Sequence, residues 1–351
     1  MKTTNRPRID LYVRRSFAEK LSATFDFTSE SFRPLLRYLS AFLLPLCVVG
    51  GMFYSSLLGQ MSNSINTNEI DLPGTFLMLA DYALTAIVSV VAYAVIGGVI
   101  YTLMQQYWAR PSRLAGITYA EMKAPLWANL RRALSLQLVL FLAAIIVVAL
   151  IIGIGAALGA SVSSWLDSNG IAALAGGGVL LAYIALVIVL VPLSLVVPAR
   201  ILGGMGIWAS VKQSMRLGFR VWGGLLGMIM VLYMICQLVG MALGIPFWVL
   251  SLIKVVAGAE STSDSLHFAT TPWFTLATYL SGVLFLYGTY MGISLLQIGL
   301  GFYYGHAAEK IDGTSMEQAV NSFETLTDGD EQAATPAPDS IDDEITHFDQ
   351  L

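Results

Sequence analysis

The chain has 351 residues, 56% of them hydrophobic and only 12% charged, with a formal net charge of −4 and a mean hydropathy of +0.70. A water-soluble globular domain carries about a quarter charged residues, so that class is excluded. The expected fold class is all-α and polytopic. Apolar runs of about 20 residues recur, long enough to cross roughly 30 Å of hydrocarbon as helix, and they lack the alternation of barrel strands.

In chain order, residues 1–36 form a basic segment in which Ile9, Val13, Phe17, Leu21 and Phe25 follow i, i+4 spacing and make an apolar stripe. The segment has no continuous apolar h-region, so no cleaved signal peptide is expected. The first two spans are 37–59, containing Pro45, and 77–104. A second amphipathic segment opens with Thr-x-x-Glu at Thr118 and Glu121, a capping-box pattern, and runs past Arg131 and Arg132. Spans 136–160 and 171–197 follow, with Pro192 inside the latter and Pro198 at its end. Pro45, Pro192 and Pro198 are candidate helix kinks, because each removes an amide donor.

A third amphipathic segment carries Trp208, Val211, Met215 and Phe219 on one face and Lys212, Arg216 and Arg220 on another. Span 222–245 is expected to break at Gly244-Ile-Pro246, leaving 246–258 as an external interfacial or re-entrant helix. The sixth span is 274–304. Thus residues 37–308 form the six-helix membrane domain, and 309–351 form a tail holding 12 of the 23 Asp and Glu and one Lys. So weakly apolar and strongly charged a segment is expected to stay disordered.

Lys and Arg mark the direction of the crossings. Eighteen of the 19 fall in alternate connections and termini, the exception being Lys254. Positive residues stay in the cytoplasm, so both termini are expected there. Trp108, Trp127, Trp208, Trp222, Trp248 and Trp273 fall near span ends, as interfacial anchors do. Each odd-numbered span follows a basic amphipathic segment, which suggests a parallel threefold repeat of such a helix plus a hairpin. The similar span openings are Ser-Phe-Arg-Pro-Leu-Leu at 31–36, Asn-Leu-Arg-Arg-Ala-Leu at 129–134 and Gly-Phe-Arg-Val-Trp-Gly at 218–223. Gly155–Gly159, Gly240–Gly244 and Gly288–Gly292 match G-x-x-x-G, read here as internal helix packing.

The spans hold almost no ionisable groups apart from Asp81 near one mouth, which argues against a proton relay or an intramembrane protease. Gln137, Gln237 and Gln297 are expected to join helices through hydrogen bonds. Cys47 and Cys236 read as small buried hydrophobes. His267, His306 and His347 are scattered, and no phosphate loop, nucleophile elbow or metal spacing appears. No catalytic residue, metal or cofactor is therefore expected, and nothing points to nucleic acid.

Two stretches carry a resemblance. Arg15-Ser-Phe-Ala-Glu-Lys-Leu-Ser-Ala-Thr-Phe-Asp-Phe with Ser-Phe-Arg-Pro-Leu-Leu-Arg, and Phe302-Tyr-Tyr-Gly-His-Ala-Ala-Glu-Lys-Ile-Asp-Gly-Thr-Ser-Met, resemble the two ends of multispan inner-membrane proteins of Bacteroidota. The run from Pro198-Ala-Arg through Ala209-Ser-Val-Lys-Gln-Ser-Met-Arg-Leu to Trp222-Gly is similar to the membrane domain accompanying some glycerophosphodiester phosphodiesterases. The resemblance spans residues 12–320 in outline and implies topology. No phosphodiesterase activity is expected from it, because these 351 residues leave no room for the soluble barrel and show no metal-binding carboxylate set.

The function expected from these features is a non-enzymatic module that organises lipid or protein at the cytoplasmic face. Its candidate anionic-lipid or tail-docking residues are Lys212, Arg216, Arg220, Arg131 and Arg132. Expected partners are membrane lipids and, through the acidic tail, a basic cytoplasmic protein. The rival is a carrier or channel for a lipid-like or apolar solute, and a lipid head-group enzyme comes third.

Overall fold

The computed structural model describes residues 8–67, 72–162, 168–259, 271–314 and 316. All regular structure among them is helical: α1 (Phe17–Glu30), α2 (Phe32–Thr67), α3 (Leu72–Ala109), α4 (Tyr119–Val162), α5 (Ser168–Leu193), α6 (Val196–Ile201), α7 (Ile207–Arg220), α8 (Trp222–Ala259) and α9 (Pro272–Asp312). Among the described residues, six stretches are long and apolar enough to cross a membrane: Phe32–Leu57, Gly74–Ala109, Tyr119–Gly155, Leu180–Ile201, Trp222–Ala257 and Pro272–Asp312. The chain is a multi-pass membrane protein.

Two expected boundaries are overturned. The chain does not break at Pro246, and residues 246–258 are the continuation of α8. A proline inside a helix costs about 3 kcal/mol, so something must hold the far side in line. Phe247, fully buried, stacks on Phe285 of α9 with centroids 5.5 Å apart and meets Tyr54 of α2 at 5.3 Å. Trp248 packs edge-on to Phe285 at 5.7 Å. The second change is that the amphipathic segment at 119–135 and the third span are one 44-residue helix. Its start is held as the sequence suggests: the Thr118 amide donates to Glu121 Oε2 at 3.1 Å, and Arg110 pairs with Glu121 at 2.6 Å.

Helices in lipid gain little by hiding apolar surface from tails as apolar as themselves, so close approach and hydrogen bonds decide the packing. The most extensive contact joins α8 to α9. Gly240 and Gly244 of α8 face Thr289 and Phe285 of α9, while Gly288 and Gly292 of α9 face Leu243 and Cys236. Two of the three G-x-x-x-G pairs are thus halves of one internal seam. Buried Cys236 adds a thiol hydrogen bond of 2.8 Å to the Gly292 carbonyl. Gly155 meets nothing, and the side-chain surroundings of Gly159 lie outside the described residues. Helices α2 and α3 complete the bundle around α9, where Tyr101 donates to Gln297 Oε1 at 2.8 Å. Of the three intramembrane glutamines, Gln297 makes the expected cross-helix bond, whereas Gln237 is exposed.

Helices α4 and α5 behave differently. From Leu138 to Ile154 and from Leu180 to Leu190, most side chains are exposed all round. The two touch each other only sparsely beside the α2–α3 and α8–α9 pairs.

Helices α1 and α7 correspond. Each has 14 residues, and each ends at a single non-helical residue before a long helix: Ser31 (φ −99°, ψ 11°) before α2 and Val221 (φ −122°, ψ 22°) before α8. The shift from Phe17 to Ile207 also carries buried Lys20, Thr24 and Phe27 onto buried Ser210, Ser214 and Leu217. The span openings chosen from sequence, Arg33 and Arg220, lie three residues out of this register. The apolar stripe expected in the first segment is also corrected. Residues 9–16 are not helical, and Phe17 and Phe25 are exposed. The seated face of α1 mixes polar Lys20 and Thr24 with Ala23 and fully buried Phe27.

Each leading segment sits on the helix that closes the preceding pair. The start of α4 packs on α3, α7 packs on α5 and α6, and α1 packs on α9. Only the last of these contacts joins the two ends of the chain.

Candidate functional site

Helices α2, α4 and α8 start, and α3, α6 and α9 finish, at one end of the bundle, tied together by Asn129–Gln105, Gln213–Asp312 and Arg113–Glu30 contacts. Lys and Arg among the described residues gather there, with Lys254 near the other end of α8.

Helix α7 presents three distinct faces. Ser210, Ser214, Leu217 and Gly218 are buried. Ser214 Oγ donates to the Pro192 carbonyl at 2.5 Å, and a Cβ at Gly218 would lie 2.5 Å from Pro192 Cα. Trp208, 82% exposed, and Phe219 lie on a second face, and Lys212, Arg216 and Arg220 are exposed on the third.

The seat beneath α7 exists because of Pro192. Its nitrogen has no proton for the Ile188 carbonyl four residues back, and Trp222 Nε1 donates to that carbonyl instead at 3.3 Å. The helix ends at Leu193, turns at Ser194 and Leu195, and resumes as α6. The kink expected near Pro192 takes the form of a short turn, across which the Ser194 amide still donates to the Leu190 carbonyl at 3.0 Å. Pro198 does not kink anything: it is the third residue of α6, where amides have no intrahelical partner and a missing donor costs nothing. Helix α2 continues on both sides of Pro45.

Of the candidate lipid or tail-docking residues, Lys212, Arg216 and Arg220 share one exposed face. Arg131 and Arg132 are exposed on α4, tied to α6 through Arg200 Nε, which donates to the Arg132 carbonyl at 3.1 Å. Arg216 is engaged: its Nη2 donates to both carboxylate oxygens of Asp312 at 2.8 and 2.7 Å, and Gln213 Nε2 donates to the same group at 2.8 Å. Asp312 thus brings the start of the acidic segment onto α7. The remainder, residues 317–351, lies outside the described residues, as do the connections around Asp167 and from Glu260 to His267.

Beside the Arg216–Asp312 pair opens a cleft of about 650 Å³ that also touches Tyr12, Met205 and Tyr304. Tyr304 is buried, and Gly203 leaves room for its hydroxyl, which would lie 2.7 Å from a Cβ there. Gly204, at φ +65°, takes the left-handed turn that leads the chain from α6 toward α7.

A second group sits where α1 meets α9, and sequence reasoning missed it. Lys20 is only 5% exposed, and its ammonium lies 4.3 Å from the Tyr303 ring centroid. No acidic side chain pairs with it among the described residues. Burial, and then the nearby Lys310, hold its pKa below the ordinary lysine range. His306, also buried, accepts the Arg15 amide on Nδ1 at 3.0 Å. Within hydrogen-bonding contact of one another or close enough to interact by charge are Arg14, Arg15, Lys20, His306 and Lys310. The sequence offers no local signal for it, since Lys20 stands among Arg14, Arg15 and Arg33 as one more charge of a basic segment.

No known protein family, curated protein or solved structure matches the chain.

Proposed function

We propose that this protein is a bacterial inner-membrane module, with both termini in the cytoplasm, that gathers anionic lipid at its cytoplasmic face and organises its surroundings without chemistry of its own. The chain is read as three units, each an interfacial amphipathic helix leading a transmembrane hairpin, consistent with the resemblance to multispan inner-membrane proteins of Bacteroidota. The geometry of α7 carries the reading. One face is docked on protein, an apolar face with Trp208 and Phe219 is left for acyl chains, and a third offers Lys212 and Arg220 to headgroups. The acidic segment, which begins on Arg216 through Asp312, competes for the same cations or recruits a basic protein.

Each Lys or Arg near an anionic surface contributes about 1 kcal/mol. With Arg216 already paired, two free cations account for about 2 kcal/mol, or roughly 30-fold in affinity. Native mass spectrometry of the full chain titrated with phosphatidylglycerol tests this. Lys212→Gln with Arg220→Gln is expected to weaken binding roughly 30-fold at low salt, whereas Arg216→Gln has a smaller effect. Equal binding by the double variant and the wild type would overturn the reading.

One observation favours a second reading, a carrier for a lipid-like solute. The exposed apolar lengths of α4 and α5 touch only sparsely, and a carrier would use the space between them, beside the turn at Pro192, as a lateral entry. Lipid flux in proteoliposomes that is lost on Pro192→Ala supports it, and no flux across a broad lipid panel rejects it.

A further inference from the structure

We propose that Lys20 and His306 form a binding site for a phosphate group, separate from the α7 face. This inference deepens the lipid reading by naming a defined headgroup site. It rests on three features of the α1–α9 junction.

The first is an ammonium kept where lysines are seldom found. A side chain 5% exposed with no carboxylate partner among the described residues is costly to bury. The Tyr303 ring face, 4.3 Å away, offsets part of that cost and leaves the ammonium hydrogens without an oxygen acceptor. The ring is fixed in place because its hydroxyl donates to the Val221 carbonyl at 3.1 Å.

The second is the tautomer of His306. Because Nδ1 accepts the Arg15 amide, the neutral ring carries its proton on Nε2, and no protein acceptor meets that N–H among the described residues. His306 lies edge-on to Tyr303 at 6.0 Å, so its ring and the Lys20 ammonium border the same tyrosine. Arg15 does not compete, since its guanidinium is bonded to the Asp10 and Leu11 carbonyls and lies over Phe302. Glu19 is committed to the Ser16 amide at 2.7 Å.

The third is an internal control. Ser210 occupies the Lys20 position on α7, buried in the same way at the same step of a 14-residue helix. A seated helix of this kind does not need a lysine there. The lysine, the imidazole donor and the adjoining Arg14 and Lys310 charges meet the requirements of an oxyanion. They form a fixed charge-assisted donor, a second donor and a positive surround.

The test uses the full chain in detergent with variants Lys20→Ser, which copies α7, Lys20→Met and His306→Gln. Phosphatidylglycerol and inorganic phosphate are the probes, read by native mass spectrometry and thermal unfolding. The expected result is roughly tenfold weaker phosphatidylglycerol binding for Lys20→Ser, the loss of one charge-assisted contact. Lys20→Met should melt higher than wild type without ligand and lose the stabilisation that ligand confers. Stabilisation by the lipid alone identifies a membrane headgroup, and stabilisation by inorganic phosphate identifies a soluble phosphate; either supports the site. Folded Lys20→Ser and Lys20→Met proteins that bind and respond to both probes as wild type does overturn it. So does lysine-dependent binding that appears only when residues 317–351 are removed and the tail's own carboxylates compete. Loss of binding on Lys212→Gln with Arg220→Gln, but not on Lys20→Ser, would leave the α7 reading standing while this one fails.

Discussion

Gly292→Leu is expected to pry α8 from α9 and to cost about 3 kcal/mol, the upper range for overpacking a tight interface. A Cβ at this position would meet the Cys236 carbonyl oxygen at 2.9 Å and its Cα at 3.1 Å. Backbone atoms in the middle of a helix cannot rotate aside as a side-chain tip does. The substitution also separates the Cys236 thiol from the Gly292 carbonyl. Gly155→Leu is the matched control, because nothing lies within 4 Å of a Cβ there. Unfolding in mixed detergent–SDS micelles should show a large loss for the first and none for the second. Equal losses would mean that the seam is not what holds this pair together.

Glu30→Ala should lower stability by about 2 kcal/mol, discounted from the 3–5 kcal/mol of a fully buried pair because its side chain remains 15% exposed. Glu30 ends α1, pairs with Arg113 in the α3–α4 connection and accepts the Tyr107 hydroxyl at 3.2 Å. The guanidinium groups of Arg8 and Arg113 lie 5.9 and 5.8 Å from the Tyr107 ring centroid. Removing the carboxylate therefore leaves two cations together without it. Arg113 also has a left-handed backbone, φ 56°, which costs a non-glycine residue about 1 kcal/mol. Arg113→Gly relieves that strain while deleting the ion pair, and Arg113→Ala deletes the pair and keeps the strain. The expected order of loss is Arg113→Ala above Arg113→Gly, measured by the same unfolding assay, and the reverse order would show that the backbone at 113 is not held under strain.

The six crossings were legible because runs of apolar residues leave a chain in lipid little choice. The continuity of α8 was not, since Pro246 is a local signal and the Phe247–Phe285 stack that overrides it is a contact between distant residues. The stripe from Phe17 to Phe25 misled for a related reason. Its i, i+4 spacing runs through residues 9–16, which are not helical, and the phenylalanine that seats α1 is Phe27, chosen by its contacts with distant Tyr107 and Phe302. The α7 cations were visible from their spacing alone. Lys20 was hidden, because a lysine in a basic leader reads as one more solvated charge until Tyr303 and His306 are brought beside it.

The contact between α1 and α9 also has a bearing on synthesis. The Arg15 amide and His306 are 291 positions apart, and ribosomes add roughly 5–20 residues per second. For about 15–60 s, therefore, the Arg15 amide has no His306 to meet and the Lys20 ammonium has no Tyr303 ring beside it, although Phe27 of the same helix can already pack on Tyr107. Docking of α1 on α9 therefore follows the making of α9, and it is a sign that the helix carrying His306 is in place.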